Sequence, residues 1–286
     1  MRILVTGANG QLGSELRELS VNSNDVFLFT DIQELDLCDA SQIDLFLTNN
    51  QVDTIINCAA YTAVDKAERE TDIAQRVNAI AVKNIVDKSI KYDIKLIHVS
   101  TDYVFSGQHF KPIQEDDIVS PLGVYGKTKR EGEKYILESD VKGVVIRTSW
   151  LYSSYGNNFV KSMIRLGNER EELGVIFDQV GTPTYAKDLA EAILFINNNG
   201  DIGKENKLFH YSNEGVASWY DFAKAIMEDG KINCDVKPIE TKDYPTFAER
   251  PFYSVMSKNL IKSKFDIQIP YWRDSLKKCI HKIKNS

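Results

Sequence analysis

Cysteine is scarce and scattered in this 286-residue chain: Cys38, Cys58, Cys234 and Cys279 never form a Cys-x-x-Cys pair. That spacing suggests neither a zinc site nor a redox dithiol, so reduced thiols, a cytoplasmic protein and no metal are the expectation. Cys58 lies in an apolar run, where a thiol packs as a small hydrophobe. Basic residues are also short. Against 41 Asp and Glu there are 35 Lys and Arg, a net charge of −6 with a pI of about 5.4. Nucleic acid and anionic membrane surfaces call for a basic excess, and neither is expected as a partner. No apolar run approaches membrane-spanning length, and Met1 leads within two residues into Ile3-Leu4-Val5 and a glycine-rich turn, so no secretory leader is expected. Internal repeats, low-complexity tracts and flexible linkers are likewise missing.

What is present suits one large domain, or a nucleotide domain with a smaller lobe. Arg2 to Thr6 is a short β-rich run, followed by Gly7-Ala8-Asn9-Gly10-Gln11-Leu12-Gly13 and then Leu12, Leu16 and Leu19 at helical spacing. In a strand–turn–helix unit, Gly7 allows the sharp turn, Gly10 the approach of a pyrophosphate and Gly13 close packing, while the helix N-terminus offers free amides to the anion. The next run, Val26 to Thr30, ends in Asp31. A carboxylate there can accept from an adenosine ribose and repels a 2′-phosphate, which leans toward NADH over NADPH. Asp36 and Leu37 are placed on the adenine side. A third strand, Thr54 to Cys58, opens into Ala59-Ala60-Tyr61, small residues that leave room for a cofactor backbone.

A fourth strand, Lys95 to Ser100, ends in Thr101-Asp102-Tyr103-Val104-Phe105, where a hydroxyl faces the crevice at the carboxyl ends of the strands. Thr101 is assigned to the reacting oxygen and Asp102 to the substrate side, while His98, inside the strand, reads as a packed core histidine. Asn78 interrupts the apolar face of a long helical pattern; serving the site and bonding locally remain equal readings. Tyr125 and Lys129, four residues apart in Val124-Tyr125-Gly126-Lys127-Thr128-Lys129, share one helix face. A phenol with a pKa near ~10 is a poor acid or base at neutral pH, and an adjacent ammonium favours its phenolate. Tyr125 becomes the proton donor and Lys129 its tuner.

Gly143 to Arg147 is a fifth strand, after which the strand–helix alternation breaks. The expected fold class is α/β: a Rossmann-like doubly wound parallel sheet with a smaller mixed C-terminal lobe. The expected division is a dinucleotide-binding domain at 1–150, rejoined by about 178–212, and a substrate lobe from 151–177 and 213–286. Trp150, Asn158 and Arg250 fall to the substrate: the indole for a hexose, the other two for a diphosphate.

The glycine turn, Asn57-Cys58-Ala59-Ala60-Tyr61, Ser100-Thr101-Asp102-Tyr103-Val104-Phe105 and Tyr125-x-x-x-Lys129, in this order, resemble the extended short-chain dehydrogenase/reductase superfamily. Ala63-Val64-Asp65-Lys66-Ala67-Glu68, Ser120 to Lys129, Arg147-Thr148-Ser149-Trp150, Gly156-Asn157-Asn158-Phe159 and Arg250-Pro251 narrow the likeness to the dTDP-4-dehydrorhamnose reductases, over nearly the whole chain. The resemblance implies Thr101, Tyr125 and Lys129 as the catalytic set, NADH or NADPH as hydride donor, with Lys129 on the nicotinamide ribose, and a dTDP-sugar as substrate, and it leaves room for a homodimer. Departures are Gly123, where asparagine or other residues occur, and Val255-Met256 after Ser254, where leucine is common. Related dehydratases carry an Asp-Glu pair after the threonine; here Tyr103 follows Asp102, which favours reduction over dehydration, with epimerisation ranked below. A homologous fold also serves as the non-catalytic accessory chain of methionine adenosyltransferase, and the intact catalytic set argues for the enzyme instead.

Overall fold

The computed structural model describes residues 1–108, 110–200, 202 and 207–285. Five runs rich in Val, Ile and Leu form strands β1 (Arg2–Thr6), β2 (Val26–Thr30), β3 (Thr54–Asn57), β4 (Lys95–Thr101) and β5 (Gly143–Thr148). With the edge strand Leu208–His210 they make a parallel sheet ordered edge–β5–β4–β3–β1–β2. The strands read as continuous apolar runs because helices cover both faces. Chain order reverses beside β1, and there the carboxyl ends of β1 and β3 open a crevice.

Helices α1 (Gln11–Ser20), α2 (Ala40–Asn50), α3 (Val64–Ala67), α4 (Thr71–Gln75), α5 (Ala81–Lys91) and α6 (Val124–Leu137) belong to this half. They are followed by α7 (Phe159–Glu169), α8 (Ala186–Asn199), α9 (Trp219–Gly230), α10 (Asn259–Phe265) and α11 (Trp272–Lys284). Successive strand side chains point to opposite faces. Ile3, Val5, Ile56, Ile97 and Ile146 therefore pack with Leu12, Leu16, Leu189 and Ile193 of α1 and α8, while Leu4, Ile55, Leu96 and Val145 meet Ile43, Val82, Val86 and Ile136 of α2, α5 and α6.

A second core gathers Val160, Met163, Leu173, Val175, Phe222, Ile226, Trp272 and Leu276 from α7, α9, α11 and a small parallel ribbon. That ribbon pairs Glu172–Ile176 with Asp235–Ile239, two short strands absent from the reading of the sequence. Leu173, Val175 and Val236 are the ribbon's buried side chains, too few to mark a strand by themselves. Ile261 and Phe265 of α10 pack into the sheet core and not into this cluster. The two cores are stitched at α1: Glu15, fully buried, accepts from Ser153 Oγ at 2.6 Å and from Lys282 Nζ at 3.0 Å. Among the described residues no helix is long and apolar enough to cross a membrane.

The orientation of α6 on the sheet is held by an ion pair inside the protein. Arg147 of β5 donates from Nε and Nη2 to the two carboxylate oxygens of Glu133, both at 2.8 Å, and both side chains are essentially inaccessible. Burial works to raise the Glu133 pKa, but the hydrogen bonds and charge of Arg147 win and hold it below the usual range. Removing one partner strands a charge, so Arg147→Met is expected to cost about 3–5 kcal/mol in urea unfolding. A loss below about 1 kcal/mol, the scale of an exposed pair, would show that the pair does not anchor the helix.

Candidate active site

Helix α6 starts at Gly123, and its first amide, Val124 N–H, donates to Glu68 Oε1 at 2.7 Å. A β-carbon at Gly123 would lie 2.5 Å from that same oxygen. The glycine thus leaves room for a carboxylate cap delivered from the turn after α3, an arrangement favourable to the helix dipole. Tyr125 and Lys129 lie on the face of α6 turned inward, 9% and 2% exposed. Tyr103 packs edge-on against Tyr125 with ring centroids 5.4 Å apart. At the end of β4 the Thr101 hydroxyl donates to Asp102 Oδ1 at 3.0 Å and stands near enough to the Tyr125 phenol to act on its pKa. Thr101, Asp102, Tyr103 and Tyr125 therefore form one contiguous group at the carboxyl end of the sheet.

Its protonation differs from the sequence-based expectation. Burial pushes the Tyr125 phenol up to about 12; the Thr101 hydrogen bond works against this and the Asp102 charge adds to it. Lys129 is engaged elsewhere. Its side chain runs back to β4, where Nζ donates to Val99 O at 2.7 Å and sits 3.3 Å from His98 Nε2. Sharing a helix face brings two side chains to the same region, but the acceptor on the strand decides where the amine goes. Burial lowers Lys129 itself to about 8, opposed by the charges of Glu133 and Cys58. Burial also raises the Asp102 carboxyl to about 6, against hydrogen bonds from Ser254 and Thr101.

Beside this group a cavity of about 400 Å³ runs along the ends of β1, β2 and β3, lined by Gly7, Gly10, Asp31, Asp36, Leu37, Cys58, Ala59, Ala60 and Tyr61 among others. Gly7 has φ +63°, and a β-carbon there would stand 2.6 Å from Ala59 N, so the two strand ends meet only because that side chain is absent. The first turn of α1 has no side-chain cap, leaving amides toward the cavity as the glycine pattern anticipates. Asp31 accepts from Asn9 N at 3.1 Å and from Ile32 N at 2.8 Å. Asp36 caps its own turn through Cys38 N. Leu12 is buried in the sheet core and Gly13 packs on Ala8, so both shape the turn from behind. Glycine turn, acidic strand end and small-residue wall are the parts that hold a dinucleotide.

The substrate candidates are less uniform. Trp150 adopts φ +48° and stacks on Trp219 with centroids 3.6 Å apart and planes at 8°, so one face of the indole is covered by protein rather than offered to a hexose. Asn158, expected on the diphosphate, is engaged within the protein: its carbonyl caps α7 through Lys161 N, and its amide donates to Gln11 Oε1 at 3.0 Å and Ser153 O at 2.7 Å. Every polar atom of that side chain is engaged in joining α7 to the glycine turn. Arg250 is paired through Nη1 and Nη2 with Asp65 at 3.2 and 2.7 Å, and its charge is felt at Tyr103. Its guanidinium is held by a carboxylate.

Two residues matter more than the sequence suggested. Asn78, buried in a π-helical turn (Arg76–Ile80), accepts from Tyr61 N at 2.9 Å and donates to Tyr61 O and to Thr128 Oγ1 of α6. It does both jobs left open for it, bonding its neighbours and fixing the wall of the cavity to the helix of Tyr125; π turns recur at such sites. His98 is a core histidine, and it also touches Lys129. A polar residue inside an apolar pattern was the available signal in both cases.

The RmlD substrate binding domain model matches residues 1–285. A dTDP-4-dehydrorhamnose reductase of Aggregatibacter actinomycetemcomitans is 41% identical, covering 96% of this chain and 97% of its own. The crystal structure of a dTDP-4-dehydrorhamnose reductase from Clostridium acetobutylicum superposes with a TM-score of 0.95 at 41% identity, covering 99% of this chain and 100% of its own. That of the Bacillus anthracis dTDP-4-dehydrorhamnose reductase, in complex with NADP, superposes with a TM-score of 0.93 at 38% identity, covering 98% and 99%.

The state of the phenol can be measured directly. An ultraviolet difference titration of the protein against Tyr125→Phe is expected to show no Tyr125 phenolate until well above the ordinary tyrosine value near ~10. A phenolate signal growing in around neutral pH would mean that Lys129 tunes Tyr125 downward after all.

Proposed function

This chain belongs to the RmlD substrate binding domain family, and from that membership we propose that it reduces the 4-keto group of dTDP-4-dehydro-L-rhamnose to dTDP-L-rhamnose with NADH or NADPH. The observation that carries the reading is the group of Thr101, Tyr103 and buried Tyr125 at the strand ends beside the cavity of the glycine turn. The cavity wall fits a dinucleotide: the α1 amides take the pyrophosphate and Asp31 accepts from the adenosine ribose. When bound, the nicotinamide cofactor supplies a hydride to the carbonyl carbon.

Tyr125 gives its proton to the carbonyl oxygen and is left as phenolate, to be reprotonated from solvent before the next turnover. Thr101 holds that oxygen by a hydrogen bond, and Lys129 contributes to the nicotinamide ribose site. Tyr103 and Arg250 line the approach from the sugar-nucleotide side, where a diphosphate competes with Asp65 for the guanidinium. The cytoplasm is the compartment that suits the reduced thiols, and a homodimer is compatible with this reading.

The test is oxidation of NADPH or NADH with the keto sugar nucleotide made in situ. Turnover by the unmodified protein is expected, with Tyr125→Phe slower by at least about a hundredfold while cofactor binding is retained. No turnover at micromolar protein would favour the non-catalytic reading, and near-normal turnover of the variant would remove Tyr125 from its role. Arg250→Ala is expected to raise the KM for the dTDP-sugar well beyond that for the cofactor; equal changes in both would make the Arg250–Asp65 pair a structural tie.

A further inference from the structure

The first turn of α6, which carries Tyr125, is held between a steric stop and a hydrogen bond. Gly126 rests on Tyr103 O with no room for a β-carbon. That contact bars closer approach to the end of β4 and does nothing against retreat. The opposing hold is Glu68: Val124 N–H, the first amide of the helix, donates to its Oε1 at 2.7 Å, and Gly123 has no side chain with which to cap the helix itself. Within 4 Å of a β-carbon at Gly123, the adjoining residues apart, only the Glu68 carboxyl stands among the described residues, with Oε1 at 2.5 Å. Glu68 follows directly on α3, and its neighbours grip another part of the chain. Asp65, three residues earlier, pairs with both terminal nitrogens of Arg250 and accepts from Ala248 N at 3.1 Å. The Arg69 guanidinium lies over the Phe247 ring, 3.9 Å from its centroid. Between these contacts the fully buried Ala67 shares one apolar cluster with Tyr125 and Tyr103.

We propose that Glu68 is a positioning residue for the proton donor: delivered from the turn that grips the loop of Phe247 and Arg250, it holds the start of α6 and so sets Tyr125 at one distance from that loop. Glu68 acts through the backbone of the helix and not on the reacting atoms. A carboxylate suits the task, because the free amides of a helix N-terminus favour an anion. An acid that must meet a carbonyl oxygen within hydrogen-bond reach is sensitive to small displacements, whereas ligand binding is spread over many contacts. Loss of Glu68 therefore falls on kcat and spares KM. Gly123 belongs to the same device. The end of a glutamate side chain swings aside readily, so the fold accommodates an alanine at position 123, and the carboxylate is the group that gives way. The catalytic meaning of this rests on the reductase reading given above; the contact itself does not.

A double-mutant cycle on the whole chain tests it. With the keto sugar nucleotide and cofactor, Glu68→Ala and Gly123→Ala are each expected to lower kcat by about tenfold while both KM values stay within about twofold. The double variant is expected to be no slower than Glu68→Ala, since one contact is lost only once. Glu68→Gln, whose carbonyl oxygen still accepts from Val124 N–H, is expected to keep most of the rate. An unchanged kcat in Glu68→Ala, or losses that multiply in the double variant, would overturn the proposal. Should Glu68→Ala not fold, the comparison of Gly123→Ala with Glu68→Gln decides by the same rule: equal rates sink it. Hydrogen exchange at the Val124 amide, measured without substrate, is expected to be at least about tenfold faster in Glu68→Ala and Gly123→Ala than in the unmodified protein and Glu68→Gln. Equal exchange in all of them would show that Glu68 does not hold the helix. That exchange pattern intact, with no turnover by the unmodified protein, would mean that the reductase reading, and with it the catalytic role of Glu68, has failed while the contact stands.

Discussion

The burial of Lys129 is the constraint on which the rest of the site depends. An amine taken out of water must find partners within hydrogen-bond reach, and these lie on β4, at Val99 O and His98 Nε2. Meeting that demand sets the distance of α6 from the sheet. One turn later Glu133 is carried onto Arg147 of β5; one residue earlier Thr128 is carried onto Asn78. At the start of the helix Glu68 holds the first amide. Tyr125 has no freedom left to choose its height above Thr101, because the backbone that carries it is fastened on both sides.

The second fastening point is the glycine turn, where contacts from three parts of the chain converge. Ala59 crosses Gly7 so closely that no side chain fits between them. Asn158 reaches Gln11 from α7, and Glu15, on the next turn of α1, receives Ser153 and Lys282 from the second core. The dinucleotide wall and the remaining lobe are therefore referenced to the same ten-residue helix. A shift of that lobe would have to break buried charge-assisted hydrogen bonds, interactions that are individually strong.

The sheet and its helices were legible because they rest on local pattern: five apolar strands, a glycine turn after the first, and a Tyr–Lys pair at helical spacing. What escaped was decided by partners distant in sequence. Asn158 resembles a phosphate ligand until Gln11 and the α7 amide claim it. Trp150 resembles a sugar platform until Trp219, far along the chain, covers a face. Arg250 could equally meet a diphosphate or a carboxylate, and Asp65 decides that its guanidinium is held in place first. The ribbon of Glu172–Ile176 and Asp235–Ile239 joins segments too far apart, and too thinly apolar, to announce each other.

Burial works against the expected drawing-down of the phenol by an ammonium, and this bears on the direction of the chemistry. A tyrosine tuned to neutrality is half phenolate and serves oxidation and reduction alike. Tyr125, held up to about 12 chiefly by burial, is fully protonated at the working pH. Hydride addition to a ketone leaves an alkoxide, a far stronger base than any phenolate, so a phenol of that strength still donates downhill. The reverse reaction would have to start from a buried phenolate next to the Asp102 carboxyl, which burial and like charge both disfavour. Desolvation at α6 thus holds on the phenol the proton that reduction consumes, until the carbonyl oxygen calls for it.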